Sequence, residues 1–478
     1  METWMTRLLL LSLCLLALLP QPAAARLTSQ PDNWQRESAD TRDLASIRSS
    51  GVLRVLVNQS RNSSGEIKGE PIGVEYNRLR AFEQYLNDNA SGRKPLTLKF
   101  IPKAKDQLLA ALLRGEGDLV APGEVLVARD GQDVAASLPW RQDVPLVLVS
   151  RQGNKRYARL EQLAGKRIAL APGSAAGEAI GQVNERLAQR RLAPIGIDWV
   201  DPSLAVEDVL EMVQAGIYPC TVVEQPIAER WAKVFKKIRI DRHLVLDNRR
   251  NMTWYVRRDA SMLHASVDRF LKDYHAPAEQ DGNFQRLYRH AYQVRNPLEK
   301  GDRKKLEAVR PTLQRFAEQY RLDWLALAAV AYKESNLTPG ARGASGATGL
   351  MQVTPAAARS VGLRSVEGKE NNVQAASKYL AMLRRSYFNS PRMDEHERLG
   401  FILAAYNVGA ERVQGLRAQA RRQGLNPDRW FFQVERVAAQ EVGMGVVNYV
   451  SSVNKYYLAY QRERDGLESR QRVASVQK

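Results

Sequence analysis

The sequence is short of cysteine, histidine and long apolar runs. Two cysteines in 478 residues, at positions 14 and 220, exclude a disulfide-stapled scaffold. The five histidines, 243, 264, 275, 290 and 396, show no zinc-ligand spacing. The stretch Asp394-Glu395-His396-Glu397 reads as a solvated helix start. No Gly-x-Ser-x-Gly elbow and no phosphate-binding loop occurs, so neither metal nor cofactor is expected. After the first twenty residues no run is long and apolar enough to span a bilayer. Acids are in the minority, 52 against 71 Lys and Arg, for a net charge of +19. That balance favours an anionic partner: nucleic acid, a phospholipid surface or a carboxylate-rich polymer.

The first 25 residues decide between these partners. Arg7, the apolar stretch Leu8 to Leu19, the breakers Pro20 and Pro22 and the run Ala23-Ala24-Ala25 have the layout of a secretory signal peptide. Export leaves Cys220 as a lone thiol, expected to be buried. Leu13, ahead of Cys14, is bulkier than a lipoprotein signal favours. An exported chain meets anionic cell wall and lipid phosphate before nucleic acid, and the basic pairs Arg384-Arg385 and Arg421-Arg422 are read accordingly.

The length predicts two or three domains, and 44% hydrophobic residues suit a globular chain. Residues 26–44 form a polar lead-in. From 45 to 295, strand patterns (Gly51 to Val57, Leu96 to Phe100, Asp118 to Ala121, Gly165 to Ala171) alternate with helical ones (Val74 to Asn87, Gln107 to Arg114). This predicts an α/β region with a largely parallel sheet. From 296 to 463 the pattern is helical throughout, and residues 464–478 are expected to fray.

The densest chemistry lies between Ala326 and Gln352. The helix from Trp324 is apolar on every side and therefore buried, with Pro339 and Gly340 as its stop signal. Glu334 sits on its last turn. Burial and the negative end of the helix dipole both disfavour a carboxylate there, which suits a general acid near neutral pH. Then come a glycine-punctuated loop ending Gly349-Leu350-Met351-Gln352, the stretch Ala405-Tyr406-Asn407-Val408-Gly409, and Tyr449-Val450.

Glu-Ser, Gly-x-x-Gly-Leu-Met-Gln, Ala-Tyr-Asn-x-Gly and a late Tyr-Val, in that order, resemble the soluble lytic transglycosylases, which share a fold with goose-type lysozyme. The resemblance implies an all-α lysozyme-like domain that cleaves the β-1,4 bond between N-acetylmuramic acid and N-acetylglucosamine in peptidoglycan strands. A 1,6-anhydro sugar results. It implies a single catalytic acid, Glu334, with the substrate's 2-acetamido group replacing the second carboxylate of ordinary glycosidases. Ser335, Gly349, Met351, Gln352, Tyr406, Asn407 and Tyr449 would bind substrate: Met351 and Gln352 lining the cleft, Gly349 allowing close approach, Tyr406 and Asn407 holding the N-acetyl group, Tyr449 closing the far wall.

Gly51 to Val55, Leu112 to Asp118, Leu163 to Ala169 and Pro172-Gly173-Ser174 resemble the family 3 periplasmic solute-binding proteins. That implies a periplasmic-binding-protein-like α/β fold over 45–295, non-catalytic and modulating. It would have a pocket for an amino-acid-like ligand or muropeptide, with Arg129 clamping a carboxylate, Ser174 helping to hold an anion and Glu224 taking an amine. The two resemblances together imply a periplasmic enzyme, peripheral at the outer membrane. A solute receptor whose helical domain only anchors it to the wall, and a hydrolysing muramidase, are the competing readings.

Overall fold

The computed structural model describes residues 42–60, 66–67, 70–71, 73–88, 94–129, 131–277, 280–288 and 292–468. The expected signal peptide, most of the lead-in and the chain beyond 468 lie outside them. In chain order, helix α1 (Leu44–Ser50) and strand β1 (Val52–Asn58) are followed by the ribbon β2 (Glu66–Ile67) and β3 (Glu70–Pro71). Then come α2 (Val74–Asp88), β4 (Thr97–Lys103), α3 (Leu108–Leu113), β5 (Leu119–Ala121) and β6 (Val134–Ala136). The long β7 (Arg141–Arg151) leads into a second lobe of β8 (Arg167–Leu170), α4 (Ala176–Gln189), β9 (Gly196–Trp199), α5 (Val206–Ala215), β10 (Cys220–Glu224), α6 (Gln225–Ala232) and β11 (Ile238–Met252). The chain returns to the first lobe through β12 (Tyr255–Arg257) and α7 (Ser261–Asp273), and α8 (Gln280–Tyr288) ends the region.

Two five-stranded sheets result, in the orders β4-β1-β5-β12-β6 and β11-β7-β10-β8-β9. The chain thus passes twice between two α/β lobes. This is the α/β architecture expected, but the sheets are mixed rather than largely parallel. β1 pairs parallel with β4 and β5, and β8 with β9 and β10. The pairings of β12 and β7 are antiparallel. The reason is topological: β7 and β12 arrive directly from the other lobe, without the helical crossover that a parallel neighbour needs. Each lobe buries two apolar clusters against its sheet, around Leu53, Phe82 and Trp254 and around Leu56, Leu112 and Val120 in the first, and around Ile168, Val222 and Trp231 and around Ala169, Val209 and Met212 in the second. Cys220 is buried in the cluster around Trp231, and burial pushes its thiol pKa up to about 12, so it is a poor nucleophile.

The helical region is α9 (Lys300–Tyr320), α10 (Trp324–Ser335), α11 (Pro355–Ser360), α12 (Lys369–Ser386), α13 (Glu395–Val408), α14 (Ala410–Arg422), α15 (Glu435–Glu441) and α16 (Met444–Arg462). It is all α, as expected, and is built on one large core. α10 is its axis: Leu325, Leu327 and the run Ala328 to Ala331 are at most 1% exposed, as a helix without a polar face must be. Asp323 caps it, its carboxylate accepting from Leu325 N. Its stop differs from the sequence reading: Asn336 adopts a left-handed conformation (φ 52°) directly after Ser335, a role Asn fills better than most residues. Pro339 and Gly340 only prevent resumption. Residues 464–468, expected to be loose, are helical, with Leu467 fully buried and Arg464 paired with Asp323. No helix among the described residues is long and apolar enough to cross a membrane.

Candidate active site

Three helix ends meet at Glu334. α10 delivers it on its last turn, half-buried. α16 brings Tyr449, whose hydroxyl donates to Glu334 Oε1 at 2.6 Å. α13 brings Tyr406, close enough to feel the carboxylate's charge; its hydroxyl donates to the Met351 carbonyl at 2.7 Å. Burial raises the Glu334 pKa above the usual carboxyl range, while the Tyr449 hydrogen bond and the Lys333 charge pull against it without winning. The result is an acid that keeps its proton to higher pH than an exposed glutamate.

The glycine loop stands against this acid and is braced by side chains assigned to substrate in the sequence reading. Ser335 Oγ donates to Leu350 O at 2.8 Å and to Ala331 O at 3.1 Å, tying the end of α10 to the loop. Gln352 adopts a left-handed backbone (φ 48°) and its amide donates to Gly349 O and Ala341 O of its own loop. Met351, expected to line the cleft, is 0% exposed: an unbranched apolar side chain beside a core goes into it, and what Met351 offers at the site is its backbone carbonyl. Gly349 does permit a close approach, but to Asn372. A Cβ there would stand 2.4 Å from the Asn372 side-chain carbon, at a φ of +80°. Asn407 is exposed on the last turn of α13.

Asn372 is the residue that sequence reasoning missed. Fully buried on α12, it accepts from Met351 N at 2.7 Å and donates to Thr348 O at 2.8 Å. It therefore satisfies the Met351 N–H and gives Thr348 O a second donor beside Val353 N. Only an Asn in the first turn of an otherwise apolar-faced helix hinted at it.

A second constellation lines a cleft of ≈ 300 Å³ in the α/β region. Glu224 is 3% exposed there and accepts from Val125 N at 2.9 Å; Ser174 lies on the cleft wall. Arg129 is not part of it. It is exposed, and its backbone N–H donates to the Gln132 side chain, because the chain from Val125 leads its side chain out of the cleft. The buried cation in the cleft is Lys105, 2.9 Å from Glu124 and 3.6 Å from Glu224. Burial works against its charge, but the two carboxylates outweigh burial and raise its pKa. Glu124, which also accepts from Asn58 at 2.8 Å, is shifted upward by burial. Arg429 and Phe432 of the helical region stand on the same wall. A larger cavity of ≈ 390 Å³ lies at the other end of α10 and α13, around Asp323 and His396, and does not include Glu334. Among the described residues no group of His, Cys, Asp and Glu could hold a metal ion.

Residues 311–428 match the transglycosylase SLT domain family. That span holds Glu334, Asn372 and the Tyr406-Asn407 pair and stops short of Tyr449. Among curated proteins, the chain is 27% identical over 398 residues to membrane-bound lytic murein transglycosylase F of Desulfosudis oleivorans, covering 80% of this chain and 81% of the relative. It is 28% identical over 400 residues to the protein of that name from Stutzerimonas stutzeri, covering 81% and 77%. Among solved structures, an ancestral arginine-binding protein bound to arginine matches 50% of this chain and 96% of its own (18% identity, TM-score 0.39). An amino acid ABC transporter substrate-binding protein from Streptococcus pneumoniae matches 52% and 100% (17% identity, TM-score 0.40). With an α/β region followed by a helical region that matches the SLT domain, the chain resembles membrane-bound lytic murein transglycosylase F over some four fifths of its length.

Proposed function

We infer that this chain is a murein-degrading lytic transglycosylase of the bacterial envelope. The match to the SLT domain and the relatives of that name support the reaction class. Glu334 is its acid and base. It protonates the glycosidic oxygen between N-acetylmuramic acid and N-acetylglucosamine. The 2-acetamido oxygen of the substrate meets the positive charge that develops at C1. Glu334, now a carboxylate stabilised by the Tyr449 hydroxyl, removes the proton from the muramoyl C6 hydroxyl. That oxygen attacks C1, and the 1,6-anhydro ring closes without water. Tyr406 and the exposed Asn407 border the place where the N-acetyl group would lie, and the braced loop forms the wall opposite.

The observation that carries this reading is the Tyr449–Glu334 contact of 2.6 Å on an acid whose pKa burial has raised. Such an acid holds its proton to higher pH for the first step and has a donor ready for its charged form in the second. With purified sacculi, Glu334→Gln is expected to lower release of soluble muropeptides by about 100-fold or more; release at the wild-type rate would refute the assignment.

The α/β region serves as the ligand-binding, modulating part. Its buried wall offers two carboxylates against one ammonium, so an amino-acid-like ligand is held by its amino end. Calorimetry of the full chain is expected to show binding of L-lysine and loss of it on Nα,Nε-diacetylation. Equal binding of both would contradict a carboxylate-lined site.

A further inference from the structure

α16 has two partners. One face, with Tyr449, Val453, Tyr456 and Tyr460, is buried in the helical core, where the Tyr456 ring meets that of Tyr332 on α10 at 4.7 Å. The other face lies on the α/β region. Its centre is Lys455, whose ammonium stands 2.5 Å from Glu211 and 2.7 Å from Asp208, both on α5. All three side chains are at most 2% exposed. Asn454 donates to Ser203 at 2.8 Å and Arg462 to Asp198 at 3.1 Å. Glu211 also accepts from Val294 N at 2.8 Å, fixing the connection that enters α9.

A buried ion triad stabilises little, because removing three charges from water offsets most of their attraction. What it does supply is register. Carboxylates on successive turns of one helix hold an ammonium of another in one place, where an apolar contact tolerates sliding. Lys455 lies six residues after Tyr449, about 9 Å along the helix, and the Tyr449–Glu334 bond is lost once it lengthens by about one ångström.

We propose that Lys455 is a positioning residue: clamped between Asp208 and Glu211, it fixes the axial setting of α16 at which Tyr449 reaches Glu334. The α/β region thereby sets the geometry of the acid in the helical region. The inference rests on Glu334 being the acid.

The groups facing Glu334 are Tyr449 of α16, Tyr406 of α13 and Lys333 beside it, and Lys333 is within electrostatic reach of Glu211 and Lys455. This gives the test a sign. Neutralising the triad removes one net negative charge; by electrostatics alone that would lower the Glu334 pKa. Losing the Tyr449 donor raises it.

The experiment uses the full chain with Asp208→Asn, Glu211→Gln and Lys455→Met together, which empties the clamp without leaving a buried charge unpaired. The expected result is a kcat/KM against pH profile whose alkaline limb moves up by about one pH unit, with kcat reduced several-fold and KM little changed. Tyr449→Phe is expected to give the same displacement, and the combination no more than either. A limb that stays in place or moves down overturns the proposal. If the triple variant does not fold, Asp208→Asn alone, which leaves Lys455 one carboxylate, is expected to shift the limb in the same direction by less; a wild-type profile there overturns it equally. Glu334→Gln run in parallel separates the two claims. Full activity in that variant removes the acid and with it this inference. An inactive Glu334→Gln beside a wild-type profile in the clamp variants removes the inference alone.

Discussion

At Glu334 two effects oppose each other, and their order has consequences beyond catalysis. Burial outweighs the Tyr449 hydrogen bond, so the folded chain binds this proton more tightly than the unfolded chain does. The contribution to stability is complete below the ordinary carboxyl value of 4.5 and is lost as pH rises through the raised one. Glu334→Gln, which has no charge to bury, is therefore expected to melt about 1–2 °C higher than wild type at neutral pH. The gap should close by about pH 4, as differential scanning fluorimetry can show. Gly349→Ala is expected to cost about 2–4 kcal/mol in denaturant unfolding, since it meets both a positive φ and Asn372. The place of Glu334 at the end of a buried helix could be read from sequence because an acid closing an apolar helix is chemically conspicuous. Asn372 could not, since its two partners are backbone groups of a loop some twenty residues away. Met351 was misplaced because a motif shows that a residue matters and not which of its atoms does.

Elements with a clean period were legible. The stretch from 296 reads as helical throughout and α10 begins at Trp324 as expected, whereas α15 (Glu435–Glu441) has no counterpart in the sequence pattern. β7 and β11 were not seen. β7 carries Pro145, and β11 alternates poorly because bulges shift its register repeatedly against β7, so neither keeps period two. The segment Trp430–Val434 was equally hidden. It is a π-type turn in which Phe432 takes a φ of 63°, a setting no sequence rule assigns to a bulky aromatic. Glu397 makes it possible, its carboxylate accepting from Trp430 N at 2.7 Å and Phe431 N at 3.1 Å. Glu397→Ala strands both amides, and equilibrium unfolding is expected to show a loss of about 2–4 kcal/mol. A loss below about 0.5 kcal/mol would mean that the turn holds itself.

Over the whole molecule, charge has two uses. The surplus of basic residues suits an anionic wall, and a few buried or half-buried pairs join the two regions. One pair responds to pH. His396 of α13 lies 3.2 Å from Asp201 of the α/β region and 2.7 Å from Asn454 of α16, with Glu397 and the Phe431 ring beside it. Burial disfavours its protonation, but Asp201 outweighs burial and the pKa rises above 6.5. The Asp201 pKa falls below 3.8 because this partner and Ser203 outweigh burial. The stability the pair adds is thus present below the ordinary histidine value and lost as pH rises through the raised one, and lost again as pH falls through the lowered carboxyl value. His396→Gln is expected to melt below wild type at about pH 5.5 and to match it by about pH 8.5. The succession of an α/β and a helical region was legible from composition and period. The contacts between them, Lys455 above all, were not, because a lone lysine on a helix reads as a solvated one.

The central claim is that one proton-retaining acid cuts the glycan while the substrate closes the ring. Digestion of sacculi in heavy-oxygen water, with mass spectrometry of the muropeptides, tests it most directly. The account predicts anhydro-muramoyl ends free of label from the wild type and none from Glu334→Gln. Labelled reducing ends from the wild type, or anhydro ends from the variant at the wild-type rate, would contradict it.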